Sequence, residues 1–181
     1  MKLRIACLVL TGVLALAGAA HAEQRVYAYD PADDATQARL DSGLTIFFDR
    51  GLIGMRVREI LATRARASVK VEPAGERELG ARLDALLPKG AYERELYAIE
   101  DAAEGPALIR ALCPGSTKGW LVMSPLRYQS ALTIHALGDT PGGGAARLCA
   151  TLNLNFRGEW RTPPPGGGSA GSAFRIPPRA S

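Results

Sequence analysis

The segment LCATLNLNFR, residues 148–157, has the most regular strand pattern in the chain and sets the fold class that we predict. Its residues alternate between an apolar set (Leu148, Ala150, Leu152, Leu154, Phe156) and a second set (Cys149, Thr151, Asn153, Asn155, Arg157). This period of two is typical of a strand with one face on a core and the other in solvent. It predicts an antiparallel strand with Cys149 on the face away from the main apolar set.

Other strand and helix patterns precede this segment. We expect strands near residues 26–29, 44–48, 69–71, 96–99, 120–123 and 132–136, and residues 55–62 are ambiguous between strand and helix. We expect helices over 33–40, 76–87 and 104–112, the first capped by Asp33 or Asp34 and the last with Pro106 in its first turn. Strands dominate without strict β-α-β alternation. We therefore predict an α+β domain, a mostly antiparallel sheet with two or three short helices.

The N-terminus has the pattern of a cleavable secretory signal. Lys2 and Arg4 begin an apolar run over residues 5–20, and Ala20-His21-Ala22 is a small-x-small cleavage motif. A membrane-spanning helix needs about 20 apolar residues, more than this run contains. We expect residues 1–22 to be a signal peptide cleaved after Ala22. The mature protein is then periplasmic or secreted, with no transmembrane segment.

The C-terminus is rich in proline and glycine. Residues 162–181 contain the run PPPGGG and no acidic residue. Such a segment buries too little apolar surface to offset the entropy of ordering it. We therefore predict a disordered tail over 162–181 and one compact domain over 23–161, a length suited to a single core.

Two cysteines, Cys113 and Cys149, remain after removal of the leader. An even count in an oxidising compartment predicts one disulfide, which would close a loop of about 36 residues and stabilise the fold by roughly 3–4 kcal/mol. A redox or metal site is disfavoured, because the chain has no C-x-x-C motif and His135 is its one mature histidine. We predict neither a metal nor another cofactor.

No set of residues has the pattern of a catalytic site. His135 lies at an outward position of an alternating strand, without a serine-containing elbow or a partner motif, and we expect it to be structural. Five acids lie near one another in sequence or directly after a strand: Asp49, Glu93, Glu95, Glu100 and Asp101. A small secreted hydrolase that uses two of these carboxylates is therefore an alternative, because the distance between two carboxylates in space decides whether they can act together.

The densest charge feature is a group of four arginines within eleven residues, Arg56, Arg58, Arg64 and Arg66. On one face they would form a cationic ridge suited to phosphate or carboxylate groups. The alternative is a solvated face whose countercharges are Asp30, Asp33 and Asp34. Trp160 lies between Arg157 and Arg161, and is either an exposed recognition residue or a plug for the core.

The charge balance limits the partners. Of the 22 basic residues, Lys2 and Arg4 belong to the leader, so the mature chain has 20 against 18 acidic ones, a net charge near +2. A protein that binds nucleic acid would have a clearly basic domain. We therefore expect a non-catalytic envelope domain that binds another protein or an anionic envelope polymer. The hydrolase and a structural or inhibitory envelope protein are the alternatives.

Overall fold

The chain folds into a closed barrel in which each of eight antiparallel strands pairs with the next and the last pairs with the first. The computed structural model describes residues 23–51, 54–62, 67–142 and 144–161. The strands are β1 (Glu23–Pro31), β2 (Leu44–Gly51), β3 (Gly54–Ala62), β4 (Ala67–Pro73), β5 (Glu95–Ile99), β6 (Gly119–Met123), β7 (Leu132–Thr140) and β8 (Gly144–Arg161). The predicted signal peptide and tail lie outside the described residues.

The prediction of an α+β fold is wrong, because the sheet closes on itself and needs no layer of helices to cover it. One face of every strand turns inward, and the interior holds fully buried side chains such as Ile46, Phe48, Ile60, Ile134 and Leu152. Closure also gives each strand two neighbours, so the backbone groups of the wall find partners within it. The predicted strands are present, and the ambiguous segment is β3.

Two helices lie at one end of the barrel, which we call the helix end. Helix α1 (Asp34–Leu40) connects β1 to β2, and its N-cap Asp33 accepts a hydrogen bond of 2.7 Å from the Thr36 amide. A second helix, Gly105–Leu112, connects β5 to β6 and packs Leu108, Ile109 and Leu112 into the barrel core. We call the opposite end, where β1 begins and β8 ends, the rim end.

The predicted helix over 76–87 is broken. It consists of a 3-10 helix (Glu76–Leu79) and a short α-helix (Leu83–Leu86), separated at Gly80, which has a left-handed φ of 64°. We name the short helix α2 and the helix Gly105–Leu112 α3. The leucines that suggested one long helix pack instead on the outer wall of β5–β8, against Leu96, Trp120, Val122, Leu137 and Ala146. Residues 74–94 therefore form an outer layer on this half of the barrel.

A bulge in β8 alters the predicted orientation of Cys149. Ala136 pairs with Ala150 and Leu137 with Leu148, which leaves Cys149 as an extra residue. A bulge of one residue shifts the side-chain alternation. Leu148 consequently packs in the outer layer, whereas Cys149 packs against the barrel core.

The predicted disulfide between Cys113 and Cys149 is confirmed, with Cα atoms 5.2 Å apart. It ties the C-terminal end of α3 to β8. None of the helices in the described ranges has the length and hydropathy needed to cross a membrane.

Replacing Cys113 and Cys149 together with alanine should lower the free energy of unfolding by roughly 3–4 kcal/mol, because the bond closes a loop of 36 residues in the unfolded chain. Urea denaturation followed by circular dichroism measures the change. Wild-type protein treated with a reductant should show the same loss. A double variant as stable as the oxidised protein would contradict this role of the bond.

Candidate functional site

The two described arginines of the predicted ridge lie on the outer wall of β3. Phe48 pairs with Val57 and Phe47 with Glu59, so Arg58 is a bulged residue between them. The side chains of Arg56 and Arg58 both lie in solvent, and Val57 between them is buried in the core. Arg64 and Arg66 lie outside the described residues.

A gap in the strand pairing lies beside these arginines. Strand β4 pairs with β3 only through Glu59–Ala62, and its second half pairs with β5 through residues 71–73. The first half of β3 and the second half of β4 therefore diverge towards the rim end. The opening, which we call the notch, has a volume of about 350 Å³, and its lining is Gln24, Asp49, Arg56, Arg58, Glu59, Lys70, Val71, Glu72 and Glu100.

Charges of both signs line the notch. Arg58 Nε lies 3.4 Å from Asp49 Oδ2, and three further carboxylates share the cavity. The countercharges of the arginines are thus on neighbouring strands. They are not the predicted acids at 30–34, because Asp30 pairs with Arg157 at 3.6 Å and Asp33 caps α1. The ridge is therefore part of a mixed-charge surface.

The rim end carries aromatic side chains on and beneath its surface. The Tyr27 ring contacts four other rings, among them Tyr128 at 6.5 Å and Phe156 at 5.3 Å between centroids. Tyr128 belongs to the loop 124–131 and covers this cluster. The large apolar residues that are exposed in the described chain are Tyr92 (73%), Tyr128 (57%) and Trp160 (37%). Tyr128 follows β6 and Trp160 ends β8, so both lie at the rim end, whereas Tyr92 belongs to the outer layer.

Trp160 does not plug the core. It lies opposite Val26 on the outer side of the wall, and its ring is close to Gly158, where an added Cβ would lie 3.0 Å from it. The interior at the rim end is filled instead by Leu126, whose side chain is 5% exposed, and by the tyrosine cluster. This places Trp160 on the surface, where a partner can contact it.

Polar groups lie directly beneath the rim. Arg25 Nη1 forms an ion pair with Glu159 Oε1, and both side chains are largely buried. Burial raises the pKa of the Tyr27 hydroxyl, and the negative charge of Glu159 raises it further, against the opposing effects of Arg50 and Arg25. The phenol therefore stays protonated at neutral pH. Opposite charges are therefore paired beneath the rim.

His135 is buried. It is outward on β7, as predicted, but Glu93 from the outer layer covers it, and the two side chains are 4% and 3% exposed. His135 Nε2 lies 3.1 Å from Glu93 Oε2, and Nδ1 lies 3.0 Å from Thr151 Oγ1. Both ring nitrogens are therefore occupied by hydrogen bonds.

The direction of these hydrogen bonds follows from the charge of Glu93. Burial raises the pKa of its carboxyl, but hydrogen bonds from the amides of Glu93 and Tyr92 and from the imidazole outweigh this effect, and the net pKa lies below its usual value. The ionised carboxylate accepts only, so Nε2–H donates to it, and Nδ1 forms the second hydrogen bond with the Thr151 hydroxyl. The hydrogen bonds among Glu93, His135 and Thr151 fasten the outer layer to β7 and β8.

The five acids of the hydrolase alternative occupy different environments. Glu93 is buried with His135, and Glu95 accepts a hydrogen bond of 3.2 Å from the Tyr97 hydroxyl. Asp49 and Glu100 line the notch beside three basic side chains, and Asp101 lies next to α3. No group of three or more histidine, cysteine or acidic side chains in the described ranges is arranged to hold a metal ion.

Sequence reasoning singled out Trp160 but missed three other residues of the rim end. Arg50, Arg127 and Tyr128 are in or near turns, where a period of two does not apply. The available signal was the juxtaposition of Arg127 and Tyr128 in a loop between two strands, since exposed aromatic and arginine residues in loops often carry binding.

Comparison with protein-family models, with curated proteins and with solved structures finds no match for this chain.

Replacing His135 with alanine should lower the free energy of unfolding by roughly 3 kcal/mol at pH 7, because it leaves a buried carboxylate without its partner. Glu93→Gln keeps a neutral acceptor of the same shape and should cost less, about 1 kcal/mol. Thr133→Ala, on the same face of β7, is the matched control. Equal stability of the His135→Ala variant and the control, measured by urea denaturation, would contradict a fastening role.

The difference in stability between wild type and Glu93→Gln should shrink as the pH falls from about 5 to about 3. The folded state lowers the pKa of Glu93, so the carboxylate contributes fully above its unfolded pKa, near 4.5, and its contribution is lost as the pH falls through the folded pKa. Denaturation curves at each pH measure this difference. A constant difference over the range would show that Glu93 does not titrate as inferred.

Proposed function

We propose that the mature protein is a non-catalytic envelope domain that binds a partner protein through the rim end. The observation that carries this proposal is the position of the exposed apolar residues. In the part of the chain that the structure describes, the large apolar side chains exposed to solvent are Tyr92, Tyr128 and Trp160, and Tyr128 and Trp160 lie at the end opposite α1 and α3. We call these two residues, together with Arg50 and Arg127, the rim surface.

The composition of the rim surface is typical of a protein interface. Tyrosine, tryptophan and arginine are the residues that most often dominate binding energy between proteins. Tyr128 rests on the buried Tyr27 ring and the partly buried Phe156 ring, which hold it in place and reduce the entropy lost on binding.

The charge of the rim surface indicates an acidic partner. Arg50 and Arg127 are exposed, and neither has an ion pair within 4.0 Å among the described residues. The acids beneath them are engaged, Glu159 with Arg25 and Glu95 with Tyr97. An acidic face on the partner would therefore meet two arginine side chains that can form ion pairs with it.

A protein partner fits better than an anionic polymer. A polymer would run along the predicted arginine ridge, but Asp49, Glu59, Glu72 and Glu100 lie in the same cavity as Arg56 and Arg58 and would repel it. A non-catalytic role is supported by His135, since its two ring nitrogens are occupied and its side chain is 4% exposed.

The partner can be found by photo-crosslinking. A benzoylphenylalanine in place of Tyr128 should crosslink to one protein in an extracytoplasmic extract of the source cells, because this position lies in the rim surface. The same group in place of Arg110, exposed on α3 at the helix end, is the control and should give no such product.

The purified partner should then bind the wild-type protein at least tenfold more tightly than a Tyr128→Ser, Trp160→Ser variant, as expected from losing two central aromatic contacts. Arg110→Ser should bind like wild type. Binding should weaken as salt increases. Crosslinking that is equal from both positions, an affinity unchanged by the double substitution, or a captured glycan polymer would overturn the proposal.

A further inference from the structure

The inner face of β2 ends in a cation at the mouth of the barrel. Ile46 and Phe48 on this face are buried in the core, and Arg50 is the next residue on it. Arg50 pairs with Met55 of β3, which packs against the same core. Because alternate residues of a strand share a face, the backbone directs the Arg50 side chain to the mouth at the rim end.

The Tyr27 hydroxyl opens at the same place. The residue is 2% exposed, and its ring is packed among the aromatic side chains beneath the rim. Its hydroxyl has no hydrogen-bond partner in the described ranges, but it is not sealed from solvent. The charges that act on it are those of Glu159, Arg50 and Arg25. A fixed hydroxyl without a partner in the protein can donate to a group from outside.

The charges around this hydroxyl leave one cation without a counterion. Glu159 forms its ion pair with Arg25, so its negative charge is matched within the protein. Arg50 has no ion pair within 4.0 Å among the described residues. A further acid at this end, Glu95, is engaged by a hydrogen bond and lies on β5, across the barrel from β1. The balance at the mouth therefore favours an anion.

We propose that the mouth of the barrel is a seat for one acidic side chain of the partner protein, held by the Arg50 guanidinium and by a hydrogen bond from the Tyr27 hydroxyl. This inference rests on the proposed function and names the chemical group that the partner presents. A guanidinium pairs with a carboxylate through two parallel N–H groups. The neutral phenol donates to one of the same oxygens.

The surroundings of the seat limit the size and charge of its occupant. The Tyr128 ring lies 6.5 Å from the Tyr27 ring between centroids, and Leu126 fills the interior below. The end of one side chain fits such a place better than a chain segment does. A dianion such as phosphate would be repelled by the nearby Glu159 more strongly than a carboxylate, because the repulsion scales with charge.

The first test titrates uniformly ¹⁵N-labelled protein with N-acetylaspartate N-methylamide, which is the acidic side chain on a minimal backbone. Binding should shift the amide signals of Tyr27 and Arg50 and the Arg50 Nε–H signal, because the seat lies between these two residues. N-acetylasparagine N-methylamide has the same shape without the charge and is the matched control. It should not produce these shifts.

The second test measures the affinity of the partner captured through Tyr128. Tyr27→Phe should weaken it roughly tenfold, because one hydrogen bond to a charged acceptor is lost. The ring remains, and the lost hydroxyl has no partner in the described part of the chain, so thermal unfolding should be unchanged. Arg50→Gln should weaken binding about two- to fivefold, the range of an exposed ion pair. Arg110→Gln at the helix end should bind like wild type.

Three results would overturn this inference. They are the absence of shifts at Tyr27 and Arg50, equal shifts from the aspartate and asparagine probes, and a partner that binds Tyr27→Phe and Arg50→Gln as tightly as wild type. If any of these occurs while Tyr128 still crosslinks to its partner, the seat is excluded and the proposed function stands. If the aspartate probe binds but Tyr128 crosslinks to nothing, the proposed function fails, and the seat takes a free carboxylate instead.

Discussion

The pairing of β1 with β8 is the constraint on which the rest of the structure depends. Residues 25–31 of β1 pair with residues 154–161 of β8, and β8 continues along β7, so this one strand of 18 residues joins both halves of the wall. Without that contact the sheet has two long edges, and its apolar face needs another cover. With it, apolar side chains such as those of Ile46 and Leu152 are enclosed by the wall, and α1 and α3 have only one end of the barrel to cover.

Closure also explains where binding surfaces can lie. A closed barrel leaves exposed only its ends, its outer wall and any interruption of its ladders. The helix end is covered by α1, by α3 and by the disulfide, and residues 74–94 cover the outer wall of β5–β8. The uncovered parts are the rim surface and the outer wall of β1–β4, where the notch lies.

Local features of the fold were predictable from sequence, and long-range ones were not. The alternation at Leu152 and Leu154 identifies a strand and its buried face, and Asp33 is a recognisable cap, because both depend on near neighbours. The extra residue at Cys149 is not recognisable, since a bulge depends on the partner strand. Burial of His135 was missed for a related reason: Glu93, 42 residues away, covers it only once the outer layer folds.

Residue-resolved amide hydrogen exchange of the protein tests the central claim most directly, that the barrel is closed at β1 and β8 and interrupted between β3 and β4. The account predicts slow exchange at Tyr27 and at Ile134 alike, because both lie in strands with two neighbours. It predicts fast exchange at Met55, which has a strand partner on one side only. Fast exchange along β1 and β8 together with protection at Met55 would contradict it.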